Sequence, residues 1–599
     1  MAFLLRLAPN NLDHRSHRPR STRHGLMAAL CGVLLVATGC ASMPRETDPQ
    51  VIGSEDTATA DDVIPNLRPT PGLSANDTVR EFVVSGQEAT DYREARLYLT
   101  KRAAAEWEPS PSVVILQDQF NAVPVDPDHQ PDDPNKMFIR VRGSKIGTLG
   151  ADDAFTPGGG TYQTEMLLSR DTKNQQWRIV NPPTEMITTE RRFEENYYRI
   201  PLYYFAPNST VPVPDPRYML AQPREGLPGR IVDTLLQGPS DALATAVDNP
   251  LASAQLDTNV TVDADGALEV PLTGVSGEST ASRRLMALQL VMSLEAVATN
   301  RIRLLSDGNE LVPGHRDWRF TDVPPVGATM SANLPGLALY GNQVVRLDNG
   351  EPIDGPAGAG NYAVQSAAQS MDGGRIAVVE DLAEGVRLLV GPMGSELATV
   401  DLAAEQMTRP TWRPSYSGGN ASNEVWTVVN GRKVVRAVLT LDGVWQAVQV
   451  NDAALEGFGP ITALRLSRDG TRAAIVADHK LVMASVTRTS DSVRLRAPRI
   501  LQPETLTDVI DVDWLGQDTL VAATTNPTRP VVSVSVDGYS KASYTTSNLE
   551  PRVSAVTAAP GRPVVAANSG GLWETSDLAE VWRQSSRDQI ALHSPFYPG

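Results

Sequence analysis

Cysteine is almost absent from this 599-residue chain. Its two cysteines, Cys31 and Cys40, both lie near the N-terminus. Nothing beyond position 40 can therefore form a disulfide, attack as a thiolate or hold a metal through sulfur, and the bulk of the chain must stand on packing alone. Histidine is also scarce, with seven in all. His129 falls in an Asp/Pro-rich loop, His479 lies inside the C-terminal repeats and His593 beyond them. G-x-S-x-G, H-E-x-x-H and Gly-rich phosphate loops are missing, which disfavours a hydrolase and gives no catalytic, metal or cofactor residue to name. Past the first 40 residues no apolar run approaches the ~20 residues that span a bilayer. The net charge is −17. A polyanion of that size is a poor non-specific binder of nucleic acid.

What the N-terminus does hold is a leader. Arg6, Arg15, Arg18, Arg20 and Arg23, opposed only by Asp13, precede the uncharged run Gly25 to Ala37. Thirteen residues is too short to span ~30 Å of hydrocarbon and fits a signal-peptide core. The run ends Leu34-Leu35-Val36-Ala37-Thr38-Gly39-Cys40, which resembles a bacterial lipobox. That resemblance implies cleavage after residue 39, diacylglycerol on the Cys40 sulfur and N-acylation of its new amino group. The alternative is a plain secretory signal with Cys40 left as an incidental thiol. Cleavage removes four net positive charges and leaves the remainder at −21. Residues 40–72 are rich in Pro, Asp, Glu and Thr without apolar periodicity, and read as the lipidated cysteine followed by a flexible tether.

The 560 residues that follow the leader suggest three or four domains at ~100–200 residues each. Residues 73–205 read as a small α+β domain. Helices are expected at 77–84 and 92–100, then strands at 112–116, 136–142, 162–170 and 176–180. Helices followed by an antiparallel meander that ends in Gln176-Trp177-Arg178-Ile179-Val180 resemble an NTF2-like cone. An enzymatic cone needs a His/Asp or Tyr/Asp pair inside it, and His129 reads as a solvated loop residue. Trp107 and Trp177 read as core.

Residues 206–325 read as a second α+β domain. Arg199 to Phe205 is expected as a strand, and Pro207, Pro212, Pro214 and Pro216 are expected to force an irregular path after it. Helices follow at 230–237, stopped by Gly238-Pro239, and at 282–298. Leu235-Leu236-Gln237-Gly238-Pro239 and the Asp307-Gly308 strand close resemble the GerMN domain of germination and sporulation proteins. Asp263, Asp265 and Asp307 are conceivable cation ligands, but Asp-Gly pairs are usually turn chemistry.

In residues 326–590 short Val/Leu/Ala strands alternate with Gly, Asp and Asn. Ser370-Met371-Asp372-Gly373 and Ser467-Arg468-Asp469-Gly470 open matching stretches. Weaker copies at Pro414, Leu515 and Pro560 give intervals of 44, 53, 48 and 45. A propeller blade takes ~40–50 residues, so a β-propeller of five or six blades, leaning to six, is expected. The stretch 337–347, with the C-terminal strands, could make a closing blade, and 591–599 reads as a C-terminal tail. Asp372, Asp469 and Asp518 read as turn residues. Trp412, Trp426, Trp445, Trp514, Trp573 and Trp582 could line a glycan groove but sit in strand patterns typical of core.

The fold class is thus two α+β domains followed by an all-β propeller. Lipobox, NTF2-like module, GerMN-like domain and propeller, in that order, resemble the actinobacterial lipoprotein LpqB family. The resemblance implies a non-enzymatic, extracytoplasmic lipoprotein at the cell membrane. Its expected partner is the outer domain of an Mtr-type two-component sensor kinase, with effects on cell-wall homeostasis and division. A module that binds cell-wall glycan is the alternative.

Overall fold

Helix-forming and strand-forming segments separate along the chain as their periodicity dictates. The structure, a computed structural model, describes residues 69–85, 92–298, 301–324, 333–414, 422–585 and 592–599. The leader, Cys31, Cys40 and the expected tether up to residue 68 lie outside the described residues.

The first module opens with the helix Ala75–Ser85, which buries Val79, Phe82 and Val83. Ser74 caps it, accepting from the Asp77 N–H at 3.1 Å while its hydroxyl donates to the Asp77 carboxylate at 2.6 Å. The single helix expected at 92–100 is two, Arg93–Arg96 and Lys101–Glu106. Between them the backbone leaves the helix to bond Ile179: the Ile179 N–H donates to Tyr98 O, and the Thr100 N–H to Ile179 O, both at 2.9 Å. Thr100 then caps the second helix by accepting from the Ala103 N–H. The sheet runs Trp177–Ile179, Thr161–Arg170, Lys136–Leu149, Ser110–Leu116, Glu185–Thr189. It is not a pure antiparallel meander, because Glu185–Thr189 pairs parallel to Ser110–Leu116.

The second module is a βαβ unit. Strands Leu268–Thr273 and Ile302–Ser306 pair in parallel, and such a pair needs a long crossover, here the helix Thr280–Leu294. From Met286 to Leu294 every residue of that helix is buried, so this part has no solvent face, while Thr280, Ala281 and Arg284 in its first turns are exposed. The helix Leu227–Gln237 ends on Gly238 at φ 106°, followed by Pro239. Asp307 and Gly308, both at positive φ (49° and 76°), make the two-residue turn between Ile302–Ser306 and Asn309–Glu310.

Between these modules lies a long hairpin ribbon, Tyr197–Phe205 paired with Pro212–Leu220. The irregular path expected of Pro212, Pro214 and Pro216 is therefore a regular strand. The prolines alternate, so all three missing N–H groups fall on the side away from the partner, and Val213, Asp215 and Arg217 carry the ladder.

The C-terminal module is a propeller of six sheets. Five are four-stranded: blade 1 (364–399), blade 2 (411–449), blade 3 (461–500), blade 4 (509–543) and blade 5 (555–584). Blade 6 joins the hairpin Leu337–Tyr340/Gln343–Arg346 to the last strand, His593–Phe596. Residues 593–596, expected in a tail, are thus the innermost strand of the closing blade. Phe596 and Tyr597 are buried there, and that burial holds the segment in place. Leu67–Gly599 forms one compact unit.

Candidate functional site

The turn aspartates come first. In blade 1 the Ser370 hydroxyl donates to Asp372 at 2.5 Å, and Asp372 accepts the Gly374 N–H at 3.0 Å. Ser467 and Asp469 repeat this in blade 3, with the Thr471 N–H at 2.9 Å. These two close their own hairpins. Asp518 does not. It receives Arg199 of the ribbon, Nη1 to Oδ2, at 2.8 Å. The third Ser-x-Asp-Gly turn is Ser535-Val536-Asp537-Gly538, which sequence reading passed over. The Ser535 hydroxyl donates to Asp537. Asp537 also accepts Arg199 Nε at 3.3 Å and the Tyr218 hydroxyl at 2.9 Å. Burial pushes the Asp518 carboxyl up, but Arg199 outweighs it and holds the group below its usual range.

Asp263 and Asp265 converge, but on arginine. Arg303 bonds Asp263, reaches Asp265 at 3.1 Å and Asp317 at 2.8 Å, and Arg301 joins Asp265 at 2.9 Å and Asp317 at 3.1 Å. The hydrogen bond from Arg303 keeps the Asp317 carboxyl below its ordinary range. Asp307 stands apart, accepting the Thr273 hydroxyl at 2.8 Å. Among the described residues no group of three or more His, Cys, Asp or Glu is placed to hold a metal ion.

The centre of the propeller is filled. Arg409 spans Asp513 at 3.1 Å and Pro595 O at 2.9 Å, and Arg468 donates to Pro598 O at 2.7 Å and Ala558 O at 3.2 Å. Burial, helped by neighbouring Arg409, pushes Arg465 down to about 10, against the pull of Asp511 at 3.2 Å. The remaining space is about 10 Å³, roughly one water's worth. His129, His479 and His593 are exposed, one in the first module, one in blade 3 and one in blade 6. Trp412, Trp426, Trp445, Trp514 and Trp582 are buried. The indole N–H groups of Trp412, Trp514 and Trp582 donate to Ala368 O, Arg465 O and Thr545 O. Trp573 is half-buried and donates to Asn568. Rings held this way form no open stacking platform.

A roomier polar concavity lies elsewhere, where the ribbon's hairpin loop meets blades 2 and 3. It measures about 410 Å³ and is lined by Pro207, Asn208, Arg413, Glu424, Arg436, Arg488, Thr489, Ser490, Ser492 and Val493. Glu424 opens the second strand of blade 2, Arg436 stands on the third strand opposite Trp426, and Arg488 ends the third strand of blade 3. Arg488 grips Glu424 with both Nη atoms, at 2.9 and 3.2 Å. Arg436 lies at 3.3 Å, Arg413 at 3.7 Å, and the Trp426 indole donates at 2.6 Å. Burial raises the Glu424 carboxyl, yet Arg488 and the Trp426 donor outweigh it, and the group stays ionised. Sequence reading missed this cluster because its members are 11 to 75 positions apart and meet only through blade geometry.

Comparison with known proteins matches three family descriptions to this order of modules. They are the LpqB N-terminal domain over residues 68–194, "Sporulation and spore germination" over 201–312, and the LpqB beta-propeller domain over 342–598. A "Lipoprotein LpqB" of Nocardia farcinica (strain IFM 10152) is 31% identical over 588 residues, covering 92% of this chain and 94% of that protein. One from Rhodococcus opacus (strain B4) is 30% identical over 571 residues, covering 90% and 92%. One from Mycobacterium tuberculosis (strain CDC 1551 / Oshkosh) is 28% identical over 598 residues, covering 94% and 97%. Among solved structures, a chain of a nidogen/laminin complex aligns with 44% of this chain and 96% of its own, at 12% identity and a TM-score of 0.32, too distant to bear on function. With relatives of this identity aligned over at least 90% of both chains, the chain belongs to the LpqB lipoprotein family.

Proposed function

We propose that the protein is a non-enzymatic accessory regulator of a two-component sensor kinase of the Mtr type, acting on cell-wall homeostasis and division. Lipid on Cys40 holds it at the extracytoplasmic face of the cell membrane, and its propeller or GerMN-like face binds the kinase's outer domain. The observation that carries this reading is the locking of three modules into one body by the ribbon 197–220, with a filled propeller centre and no convergent catalytic group among the described residues. Such a body suits recognition better than turnover. Its charge, −17 for the full chain and −21 once the leader is removed, steers a basic partner and makes the association weaken with salt. The glycan-binding alternative is weakened by tryptophans that are buried in blade cores.

The test is made in cells that lack the protein and are complemented with the native chain or with Cys40→Ala. Loss of the protein is expected to alter phosphorylation of the kinase and its response regulator. The native chain restores it and crosslinks to the kinase's outer domain; Cys40→Ala does neither and leaves the lipid-anchored fraction. Unchanged phosphorylation together with no crosslink removes this reading. Retention on purified peptidoglycan would then put glycan binding in its place.

A further inference from the structure

We propose that the outer strand of blade 2, Trp445–Gln449, is a docking edge that takes up an extended, uncharged segment of a partner protein as a further strand of that blade. The proposal does not depend on which protein supplies the segment.

The edge is open. The Thr440 N–H donates to Val444 O and the Val450 N–H to Val434 O. Bonded and non-bonded pairs alternate along an antiparallel ladder, so Val444, Gln446, Val448 and Val450 bond inward. Trp445, Ala447 and Gln449 therefore aim their N–H and C=O groups out of the sheet, about 6.8 Å apart. Among the described residues none of these groups bonds another part of the backbone. The other blades end differently. Ala398–Thr399 and Arg583–Gln584 are two residues long, and Lys541–Ser543 is three, with Lys541 donating to Thr505. Val493–Ile500 carries Arg494, Arg496, Pro498, Arg499 and a register break. On blade 6 the strand Gln343–Arg346 ends on a charge, and its Arg346 N–H is taken by Glu351 O. Shortness, charge, proline, irregularity and cover are what keep an edge from pairing. Trp445–Gln449 is five residues without charge or proline, in unbroken register with Lys433–Leu439.

The surroundings define what fits. Donors and acceptors at that spacing match the main chain of an extended polypeptide. Its length is set by blade 3, where Asn451 donates to Val493 O and accepts the Leu495 N–H, leaving room for about five residues. A second copy of the same edge does not fit. Set antiparallel about Ala447, it would place its own Val444 opposite Val450 and drive its 440–444 hairpin tip onto Asn451 and blade 3. The charged groups around the edge are of both signs. Asp442 in the hairpin turn and Arg375, 5.7 Å over the Trp445 ring, stand at one end. Lys433, Arg494, Asp452 and Asp491 stand at the other. On blade 1, Asp401 follows Val400, which shares an apolar cluster with Trp445. With both signs present and none on the strand itself, an uncharged segment is the one accepted. Val444, 61% exposed, shares a face with the half-buried Val448, and Leu441 beside them is fully exposed. β-branched or aromatic side chains are the favoured cross-strand neighbours of such residues.

The probe is a capped, fluorophore-labelled pentapeptide of alternating threonine and valine, titrated by anisotropy with the detergent-solubilised full chain. Saturable binding is expected at millimolar concentration or below, and added salt should change it little, because no charge pairing is involved. The same peptide N-methylated at the amides that meet the edge should not bind, a control that leaves the protein untouched. Ala447→Pro should weaken binding about tenfold or more, since it removes the central outward N–H and sets a ring against the facing carbonyl. It should melt with the native chain, because that N–H takes no part in the blade's own ladder and an outer strand tolerates proline there. In cells, a photo-crosslinking residue at position 446 is compared with one at position 584 on the short outer strand of blade 5. The product from position 446 is expected to map to an uncharged stretch of another protein. That stretch, made as a peptide, should bind the native chain more tightly than the threonine–valine probe and lose affinity with Ala447→Pro. No saturable binding of the probe at millimolar concentration, equal binding of its plain and N-methylated forms, or an Ala447→Pro protein that binds like the native one overturns the site. So does a product from position 446 that is absent, the same as that from position 584, or formed with a second copy or with residues 41–68 of the same chain.

Discussion

Asp153 is a carboxyl whose ionisation the fold opposes. It sits at φ 60° in the loop after Lys136–Leu149, against the GerMN-like helix, where Thr234 donates to it at 3.3 Å. Burial raises it to about 6, against the lowering pull of Thr234, Arg217 and Arg230. A folded-state value above the ordinary 3.8 means that the ionised form favours unfolding. Stability from this group is therefore full below about pH 4 and lost as pH rises to about 6. Asp153→Asn keeps the shape, tolerates the left-handed backbone and does not titrate. It should melt with the native protein at pH 4 and be more stable above pH 6.5, by about 1–3 kcal/mol for a shift of this size. Thermal unfolding of the two proteins across that window is the measurement. A difference that is constant with pH refutes the assignment. Arg303 makes the opposite point: it sits among Asp263, Asp265 and Asp317, so two of the three carboxylates that could be read as cation ligands, Asp263 and Asp265, are ion-pair partners.

At the scale of elements the propeller depends on its last strand. His593–Phe596 pairs with Leu337–Tyr340, so one sheet is built from both ends of the propeller sequence. Without it the hairpin 337–346 shows an open edge, and the apolar faces that Phe596 and Tyr597 cover are exposed. Each of those side chains contributes about 2–3 kcal/mol by burial. Deleting residues 593–599 should turn a protease-resistant C-terminal half into one that is cut within blades 1 to 5 and aggregates on mild heating. A deletion protein as resistant as the native chain would mean that closure rests elsewhere. This strand was hard to read in advance because His593-Ser594-Pro595-Phe596 has neither alternation nor a β-branched run. Segments with a continuous apolar run containing β-branched residues, such as Arg375–Asp381 and Arg472–Ala477, were legible, as was the helix stop at Gly238-Pro239. The proline strand 212–220 was not, since its regularity exists only against its partner. The split of the 92–100 helix came from a long-range bond to Ile179 that no local pattern encodes. For the arginine cleft the hairpin pairing of Trp426 with Arg436 offered a partial signal, but Arg488 arrives from the next blade.

For the whole molecule the question is whether three modules behave as one body. The ribbon 197–220 belongs to all of them. Ile200, Leu202 and Tyr204 enter the GerMN-like core, and Tyr218 joins the core of the first module. Phe155 and Phe193 of the first module, Tyr218 of the ribbon and Tyr539 of the propeller pack ring to ring at 5.1–6.1 Å. At the edge of that cluster Arg199 ties the ribbon to Asp518 and Asp537 in blade 4. Its own side chain is 27% exposed, but that of Asp537 is only 3% exposed. Removing the arginine leaves a buried carboxylate supported by Tyr218 and its own turn. The loss should fall between that of a surface pair, ~0–1 kcal/mol, and a broken buried pair, ~3–5 kcal/mol. Because the lost contact joins modules and is not inside one, its effect should appear as lost coupling. The native chain should unfold in one calorimetric transition over the described modules. Arg199→Ala should split it, with the propeller melting apart from the two α+β modules, while Arg140→Ala, which breaks a pair within the first module, should not. Isolated modules that already melt separately in the native chain would show that the ribbon aligns them without coupling them. A single unsplit transition in Arg199→Ala would place the coupling in the aromatic cluster instead.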